Sequence, residues 1–415
     1  MHTTAPCHAS QGAEIPHAPL GRTGLYNLHL QNGAKMVPFG GYEMPVQYGN
    51  LSVGESHKWT REKASLFDVS HMVQYHIEGP GATKFLESLT PSDLGSLPEH
   101  QSTLSALLHP QSGGIVDDTI VTRLAAEKFY VVTNAGCREK DYKFLISAMD
   151  AWNSSNQPRV TITQLADRGL IALQGPLAVS ILEAVLAGSH TSLTDLYFGS
   201  SRFVRINLPS GPSQPVLASR GGYTGEDGFE ISIAPDETEA VTRHLLDTAG
   251  KDKIRLAGLG ARDSLRLEAG MCLYGHDIDD TTTPVEAGLS WIIAKSRREK
   301  GGFNGAETIL GQLTPASKGG KGVTRRRVGL IVEGAPAREG AEIVDAQSGE
   351  KLGVVTSGCP SPTMGKNIAM GYVKNGMHKS GTEVAVVVRG RSRKAVVSKM
   401  PFVPSKYWKG GQSPG

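Results

Sequence analysis

Two adjacent aspartates interrupt a run of strand-forming residues in the segment GGIVDDTIV, residues 113–121. Ile, Val and Thr flank Asp117 and Asp118 and favour β-strands, whereas Asp is disfavoured inside them. Neighbouring strand residues point to opposite faces of a sheet. We therefore expect one carboxylate to face solvent and the other to face the interior. The inward carboxylate must be hydrogen-bonded, ion-paired or used in catalysis.

A glycine-rich segment, GGYTGEDGFE, occupies residues 221–230. Its glycines allow a tight turn that brings backbone close to a ligand. The segment has neither of the glycine patterns that bind nucleotide phosphates. Glu230 starts a strand in which it shares a face with Ser232, opposite Phe229. Glu230 is therefore either a solvated strand residue or a carboxylate that binds a ligand.

Four charged residues lie close together in a predicted helix, LAGLGARDSLRLEAG, residues 256–270. Arg262 and Arg266 are four positions apart, so they repel each other unless carboxylates lie between them. Asp263 and Glu268 could supply those carboxylates in a structural network. The same arginines could instead bind a ligand, and the pattern leaves both interpretations open.

Strands and helices interleave around these segments. Residues 103–108, 115–123 and 129–133 are predicted as antiparallel strands joined by short turns. Asn134 is then well placed to cap a helix that ends near Trp152. A similar order recurs with strands at 160–165, 170–174, 203–208, 215–219 and 229–233. Because hairpins alternate with helices, the predicted fold class is α+β, with two interleaved α+β domains in residues 21–313.

The two ends of the chain differ from this central region. Residues 1–20 are polar and lack both a secretory core and an arginine-rich transit helix, so we expect a disordered tail. Residues 314–327, TPASKGGKGVTRRR, have the composition of a solvated linker. Six short β-rich runs follow, which predicts a separate all-β barrel or sandwich over residues 328–415.

Composition excludes several classes of protein. The 43 basic and 40 acidic residues give a net charge of +3, which provides no concentrated basic surface for nucleic acid. No apolar run approaches the roughly 20 residues that span a bilayer, so no membrane segment is expected. The four cysteines are scattered and the histidines lack metal-ligand spacing, so neither a disulfide framework nor a metal site is predicted.

Nine segments in their chain order resemble the T proteins, the aminomethyltransferases of the glycine cleavage system. The resemblance extends from about Leu20 to Trp408 and is strongest to eukaryotic, mitochondrial members, particularly over residues 399–408. The matching segments are SLFDVSHM (65–72), GGIVDD (113–118), LQGP (173–176), GYTGEDGFE (222–230), ARDSLRLEAG (261–270), DDTTTPVE (279–286), TSG (356–358), NIAMGY (367–372) and KMPF (399–402).

The resemblance implies a specific reaction. T proteins take the methylene of an aminomethyl group on the lipoyl arm of H protein, release ammonia, and form 5,10-methylenetetrahydrofolate and dihydrolipoyl H protein. The implied fold is a three-domain ring with folate in a central channel and a C-terminal β-barrel. Tetrahydrofolate is the implied co-substrate, without metal or flavin. The implied partners are lipoylated H protein, glycine decarboxylase and dihydrolipoyl dehydrogenase, and the implied location is the mitochondrial matrix.

The resemblance also assigns roles to individual residues. Asp118 matches the family's catalytic aspartate. Glu230 matches a folate-contacting carboxylate suited to two parallel pterin donors. Arg262 could orient that carboxylate or contact a folate carboxylate, and both roles stay open. The remaining positions that match folate neighbours are Tyr407, Met72, Tyr223, Asn134 and Trp291.

Two related functions compete with this assignment. Dimethylglycine and sarcosine dehydrogenases carry a flavin-binding module with G-x-G-x-x-G, but only about twenty residues precede the match here. A folate-binding relative involved in iron–sulfur maintenance carries K-G-C-Y-x-G-Q-E, whereas residues 222–228 here read GYTGEDG. The basic stretch Arg325, Arg326 and Arg327 could face an acidic protein partner.

Overall fold

The computed structural model describes residues 19–188 and 192–411. The disordered tail predicted for residues 1–20 therefore lies outside the described residues, except for Pro19 and Leu20. Within the described chain, no helix combines the length and apolar character needed to cross a bilayer. Cys137, Cys272 and Cys359 are buried free thiols, and Cys7 is outside the described part.

Fifteen strands precede the C-terminal domain within the described residues. They are β1 (Ala34–Phe39), β2 (Tyr42–Tyr48), β3 (Ala64–Asp68), β4 (Val73–Glu78), β5 (Ser102–Leu108), β6 (Ile115–Ala125), β7 (Lys128–Thr133), β8 (Thr161–Gln164), β9 (Gly169–Gln174), β10 (Ser201–Val204), β11 (Asn207–Leu208), β12 (Gly211–Pro212), β13 (Val216–Arg220), β14 (Gly228–Ile233) and β15 (Ile254–Leu256).

Helices alternate with these strands. The α-helices are α1 (Tyr26–Gln31), α2 (Val53–Glu62), α3 (Ala82–Leu89), α4 (Arg138–Ser154), α5 (Ala178–Glu183), α6 (Thr238–Ala249), α7 (Leu259–Glu268), α8 (Lys295–Lys300) and α9 (Ala306–Leu313). Short 3₁₀ helices span Ala135–Cys137, Pro235–Glu237, Ser290–Ile292 and Ala316–Lys318. This mixture confirms the predicted α+β class.

A six-stranded sheet has the order β10-β13-β14-β9-β3-β15, with β15 parallel to β3 and the other pairs antiparallel. Alternation along β14 sends Phe229, Ile231 and Ile233 into the core with α5 and α6. The opposite face of the same sheet packs against α7 and β7. Because both faces are covered, a polar residue on β14 is not automatically a solvated one.

A five-stranded antiparallel sheet has the order β5-β6-β7-β4-β8. Helices α3 and α4 cover one face through Phe85 and Leu145. The other face meets the six-stranded sheet, where Gln74 Oε1 accepts hydrogen bonds from Tyr130 at 2.8 Å and Ser232 at 2.6 Å. The two sheets therefore enclose side chains between them, and the glycine-rich and aspartate segments lie at this junction.

Six strands close the C-terminal barrel in the order β16-β19-β18-β17-β20-β21, with apolar residues filling its interior. Their bounds are β16 (Arg325–Val332), β17 (Glu342–Asp345), β18 (Lys351–Ser361), β19 (Lys366–Lys374), β20 (Glu383–Val388) and β21 (Arg391–Ser398). The predicted C-terminal β-barrel is confirmed. Strand β16 begins three residues inside the segment assigned to the linker, because the backbone from Arg325 onward pairs with β19.

The arginines at the start of β16 make contacts within the chain. Arg325 Nε pairs with Glu286 at 3.2 Å, and Arg327 donates to the carbonyls of Ala287 and Gly270 at 2.7 and 3.1 Å. Arg326 donates to Asn375 at 3.0 Å. Two of the three guanidinium groups therefore attach the barrel to residues 270–287, and a role of this stretch in facing an acidic partner stays a prediction.

The chain after the barrel returns to the first part of the molecule and closes the ring. The backbone N–H groups of Phe402 and Val403 donate to the Glu268 carbonyl. Farther along, the Lys406 N–H donates to Gly225 O at 2.8 Å, and the Trp408 indole donates to Thr194 O at 2.9 Å. These contacts join the barrel to the glycine-rich segment and help to hold that segment in place.

Glu268 is the centre of a buried polar network between α7, α2 and the barrel. Its carboxylate accepts hydrogen bonds from Arg61 at 2.8 Å, Thr363 at 2.8 Å and Ser361 at 2.5 Å, and lies 3.1 Å from His57 Nε2. Burial alone raises the pKa of Glu268, but the hydrogen bonds outweigh it and lower the pKa to about 2. This carboxylate is a structural group.

Replacing Glu268 by Ala is expected to destabilise the fold by about 3–5 kcal/mol, because the buried Arg61 loses a partner. Since the folded-state pKa is depressed, the contribution of Glu268 is present above its unfolded pKa and is lost as pH falls toward about 2. Urea unfolding at pH 7 measures the difference. Glu342→Gln removes an exposed carboxylate paired with Lys351 and should change stability by less than about 0.5 kcal/mol. Equal effects of the two variants would contradict the prediction.

Candidate active site

Neither aspartate of the pair is freely exposed to solvent, so the expectation of one outward and one inward carboxylate is met only in part. Asp117 is 0% exposed and points from β6 toward α4, while Asp118 is half-buried on the opposite face. Strand alternation separates the two carboxylates as predicted. Neither carboxylate is freely exposed because β6 lies inside the molecule and other elements cover both of its faces.

Asn134 connects the two carboxylates. Its side-chain Nδ2 donates to Asp117 Oδ1 at 2.9 Å and to Asp118 Oδ1 at 2.8 Å, and its backbone N–H donates to Asp117 Oδ2 at 2.8 Å. The predicted helix-cap role was wrong, because a 3₁₀ turn follows Asn134 and its side chain makes no capping bond. The Nδ2 group of Asn134 is bonded instead to the two carboxylates of β6.

Burial raises the pKa of Asp118 to about 7, with a further contribution from the charge of Asp117 and an opposing one from the Asn134 hydrogen bond. A carboxyl group with this pKa changes charge near neutral pH. It can therefore accept a proton in one step and return it in another. Such a group at the junction of two domains is a candidate catalytic residue.

Glu230 faces the inside of the molecule and is not a solvated strand residue. It lies opposite Ala172 in the sheet register, on the face that packs against α7. Burial raises the pKa of Glu230, and the positive charge of Arg262 opposes that rise. Within the described residues no side chain or backbone N–H hydrogen-bonds to this carboxylate.

Arg262 is half-buried, and no side chain of the described part of the protein forms an ion pair or hydrogen bond with it. Its Nη1 atom is inaccessible and has no hydrogen-bond partner in the described chain. The guanidinium carbon lies 4.8 Å from the centre of the Tyr223 ring, a cation–π arrangement. Burial lowers the pKa of Arg262, and the charge of Glu230 opposes that effect. No ion pair within 4 Å joins Arg262 to Glu230 among the described residues.

The two arginines of α7 have different environments. Arg266 is 2% exposed and bonds to Asp263 at 2.8 Å, Asp277 at 2.7 Å and Ser357 at 2.9 Å. The structural network that the sequence allowed is therefore present, and it contains Arg266. Arg262, one turn earlier, is outside it and is left to face Glu230 and Tyr223.

Tyr223 and Met72 lie beside this group. The Tyr223 hydroxyl donates to the carbonyl of Cys272, and the charges of Asp118 and Arg262 both act on its pKa, which burial raises. Met72 packs against the apolar cluster that covers the Glu230 face of the sheet. Asp118, Tyr223, Arg262, Glu230 and Met72 are therefore brought together, with Asn134 behind Asp118.

Tyr407 lies on the other side of the glycine-rich segment. Its ring stacks on Phe198 at a centroid distance of 4.1 Å, and its hydroxyl is buried without a hydrogen-bond partner in the described chain. The neighbouring Lys406 N–H is bonded to Gly225. Tyr407 therefore adjoins the site through that segment, and no described contact joins it to Arg262 or Glu230.

Trp291 is separate from the other predicted residues. It lies in the 3₁₀ helix Ser290–Ile292, which contacts β5, and its side chain is 62% exposed. Among the described residues it makes no hydrogen bond or ring contact with the others. Its role as a wall of the folate site stays a prediction.

Three residues behind Asp117 did not enter the sequence prediction. Asp141 and Cys137 come from the start of α4, and Thr133 from the end of β7. Asp117, Cys137 and Asp141 place one ligand atom each within 4.8 Å of one another. Cys137 and Asp141 are four residues apart at the start of a helix, so their side chains lie on the same face. That spacing is visible in the sequence and could have pointed to this cluster. The absence of a metal stays a prediction.

Both parts of the chain match known protein families. Residues 25–297 match the GCVT N-terminal domain family, and residues 325–404 match the glycine cleavage T-protein C-terminal barrel domain family. The chain is 48% identical over 402 residues to a probable mitochondrial aminomethyltransferase of Schizosaccharomyces pombe, covering 96% of this chain and 97% of the relative. It is 45% identical over 390 residues to the mitochondrial aminomethyltransferase of Pisum sativum, covering 94% and 91%.

A solved structure has the same fold. The glycine cleavage system aminomethyltransferase T from Bartonella henselae superimposes with a TM-score of 0.83 at 40% identity, covering 94% of this chain and 100% of that one. The chain therefore belongs to the glycine cleavage T-protein family, the tetrahydrofolate-dependent aminomethyltransferases.

Proposed function

We propose that Asp118, Glu230 and Arg262 form the site at which this transferase acts on tetrahydrofolate and aminomethylated H protein. The observation that supports the proposal is the pair of opposite charges, Glu230 and Arg262, which lie half-buried near each other without an ion pair or a hydrogen-bond partner in the described chain. A buried charge without a partner is unfavourable. A polar ligand that bonds to both groups would remove that penalty.

Tetrahydrofolate fits the donor set. Its pterin ring presents a ring N–H beside an exocyclic amine, two parallel donors that a carboxylate such as Glu230 can accept. Arg262 can bond to an acceptor on the same ligand and keep the Glu230 carboxylate ionised. The Tyr223 ring and Met72 side chain offer apolar surface for flat rings. Tetrahydrofolate supplies the nitrogens that take up the carbon.

Asp118 would act on protons and charge at the transferred carbon. As an ionised carboxylate it can accept a proton from the attacking nitrogen and stabilise positive charge that develops as ammonia departs. Asn134 holds the Asp118 carboxylate by a 2.8 Å hydrogen bond. The described side chains thus supply orientation and electrostatic field, and the substrates bring the reacting atoms.

We also propose the protein partners and the compartment of this enzyme. The lipoylated H protein would deliver the aminomethyl group, and glycine decarboxylase and dihydrolipoyl dehydrogenase would act before and after it. No metal or flavin takes part in the proposed reaction. Relatives named as mitochondrial support placement in the mitochondrial matrix.

The direct test supplies aminomethylated H protein with and without tetrahydrofolate and measures ammonia release. We expect rapid ammonia release and 5,10-methylenetetrahydrofolate only when both are present. Equal release without tetrahydrofolate would contradict the proposal. Unlipoylated H protein serves as the matched negative control.

The free enzyme should lose activity as pH falls through about 7, because Asp118 must be ionised and burial, together with Asp117, raises its pKa to that value. The other carboxyl group of the site is Glu230, whose pKa is raised by burial, while burial raises the pKa values of Tyr223 and Cys272 so that both stay neutral in this pH range. The measurement is kcat/KM for aminomethylated H protein between pH 5.5 and 9. A profile that is flat from pH 6 to 8 would contradict the assignment.

A further inference from the structure

A chain of polar contacts continues from Asp118 into the interior of the five-stranded sheet. Asp118 accepts one Nδ2 proton of Asn134, and Asp117 accepts the other. The second oxygen of Asp117 accepts the Asn134 backbone N–H. Both oxygens of Asp117 are therefore acceptors for Asn134, which identifies Asp117 as the ionised member of the buried carboxylates behind the site.

Asp141 lies on the far side of Asp117. Its side chain is 0% exposed, no N–H or hydroxyl group of the described chain donates to its carboxyl oxygens, and a carboxyl oxygen lies within 4.8 Å of an Asp117 oxygen, so that a protonated Asp141 donates to Asp117. Two ionised carboxylates this close and this deeply buried would repel strongly. One of them must carry a proton.

We infer that Asp141 is a positioning residue that, as a neutral carboxylic acid, holds Asp117 and through Asn134 orients the Asp118 carboxylate for the reaction. The geometry assigns the proton to Asp141 because Asp117 already accepts two N–H donors. The inference deepens the proposed function and rests on the role of Asp118. Asp141 itself has no contact with the folate-facing side chains among the described residues.

The charges around the pair agree with this assignment. Burial, followed by the negative charge of Asp117, raises the pKa of Asp141 to about 10. The ionisable groups that face the two carboxyls from neighbouring elements are Cys137 and Lys140 near the start of α4, Tyr75 on β4 and Tyr274 after α7. Of these groups, only Lys140 favours ionisation of Asp141. Its effect on the pKa is smaller than those of burial and of the Asp117 charge.

Two further buried hydroxyl groups on neighbouring strands, Thr133 Oγ1 and Tyr75 Oη, lack hydrogen-bond partners in the described chain. An amide at position 141 can replace a carboxylic acid in this setting because it keeps a donor, an acceptor and the same shape. A leucine at this position keeps the branching at Cγ but removes every polar contact.

The test compares Asp141→Asn with Asp141→Leu in the full-length enzyme. We expect Asp141→Asn to keep kcat within about threefold, because a neutral donor remains. Asp141→Leu should lower kcat by about 10- to 100-fold, with the KM for tetrahydrofolate changed by less than about threefold, because a slightly displaced Asp118 impairs the chemical step. A folded Asp141→Leu enzyme with wild-type kcat would overturn the inference, as would equal losses in both variants.

A second variant covers the case in which Asp141→Leu does not fold. Asp117→Asn preserves shape but removes the charge next to Asp118, and it cannot accept both N–H groups of Asn134. Because the Asp117 charge raises the pKa of Asp118, the acid limb of kcat/KM should move to lower pH by about one unit, and kcat should fall at least tenfold. An unchanged limb together with unchanged kcat would overturn the inference.

A purely structural role for α4 would produce a different result. Leu145 lies on the same helix, is 0% exposed and packs in the core of the five-stranded sheet. Leu145→Ala should lower the melting temperature while leaving the acid limb in place. The Asp118→Asn variant separates the two ideas, because wild-type activity there would refute the proposed site, whereas failure at Asp141 alone refutes only the positioning role.

Discussion

Replacing Asp118 by Asn should lower kcat by about 100- to 10,000-fold while tetrahydrofolate affinity changes by less than about fivefold. The substitution keeps the shape of the side chain and removes its charge. An amide cannot accept a proton at neutral pH, and it does not stabilise the positive charge that forms as ammonia leaves, two effects that each have magnitudes of about 100-fold or more. Single-turnover release of ammonia from aminomethylated H protein measures the chemical step directly.

The control for Asp118→Asn is Asp150→Asn, which removes an exposed carboxylate from α4. That variant should retain wild-type turnover. The acid limb of the wild-type pH profile should also disappear in Asp118→Asn, because the titrating group has been removed. An Asn variant with full activity would exclude Asp118 from the proposed role.

Replacing Glu230 by Ala should weaken tetrahydrofolate binding by about 10- to 100-fold. Hydrogen bonds to a charged acceptor contribute about 1.5–3 kcal/mol, and here two donors of the pterin would lose their acceptor. Arg262 would in addition stay buried without a counter-charge. Isothermal titration calorimetry with tetrahydrofolate under anaerobic conditions gives the affinity.

Glu230→Gln is the matched variant, since it keeps the shape but can accept only one of two parallel donors. Its affinity should lie between those of the wild type and Glu230→Ala. Glu383→Ala, an exposed position on the barrel, should bind normally. Because Glu230 accepts no hydrogen bond in the described chain, its loss should cost the free protein less stability than the loss of Glu268, which accepts several. Normal folate affinity with a large loss of stability would contradict the assignment.

Local sequence patterns were sufficient for the secondary structure that carries the site. β-Branched residues around Asp117 and Asp118 predicted a strand, and alternation correctly separated the two carboxylates onto opposite faces. The glycine spacing after Arg220 predicted the turn that precedes Glu230. The break in composition near residue 320 and the six short β-rich runs after it predicted a separate all-β barrel or sandwich, and the structure shows that these strands close into a barrel.

Local sequence patterns did not predict the hydrogen-bond partners and burial of each polar residue. Asn134 has the type and position of a helix cap, but its side-chain Nδ2 donates hydrogen bonds to the two carboxylates of β6. Arg262 and Arg266 have the same side chain one helical turn apart, yet only Arg266 meets Asp277 and Ser357 from distant parts of the chain. These partners are separated by up to 91 residues in sequence, so no local pattern contains them.

The sequence by itself determined the family, the α+β class and the residue types available for chemistry. Only the tertiary structure decided which of those residues are buried and which lack partners. The sequence left open which aspartate of the pair faces inward, and the structure buries Asp117 fully between Asn134 and Asp141. The physical reason is that desolvation and charge pairing depend on every element that surrounds a group, whereas strand and helix periodicity depend only on its neighbours along the chain.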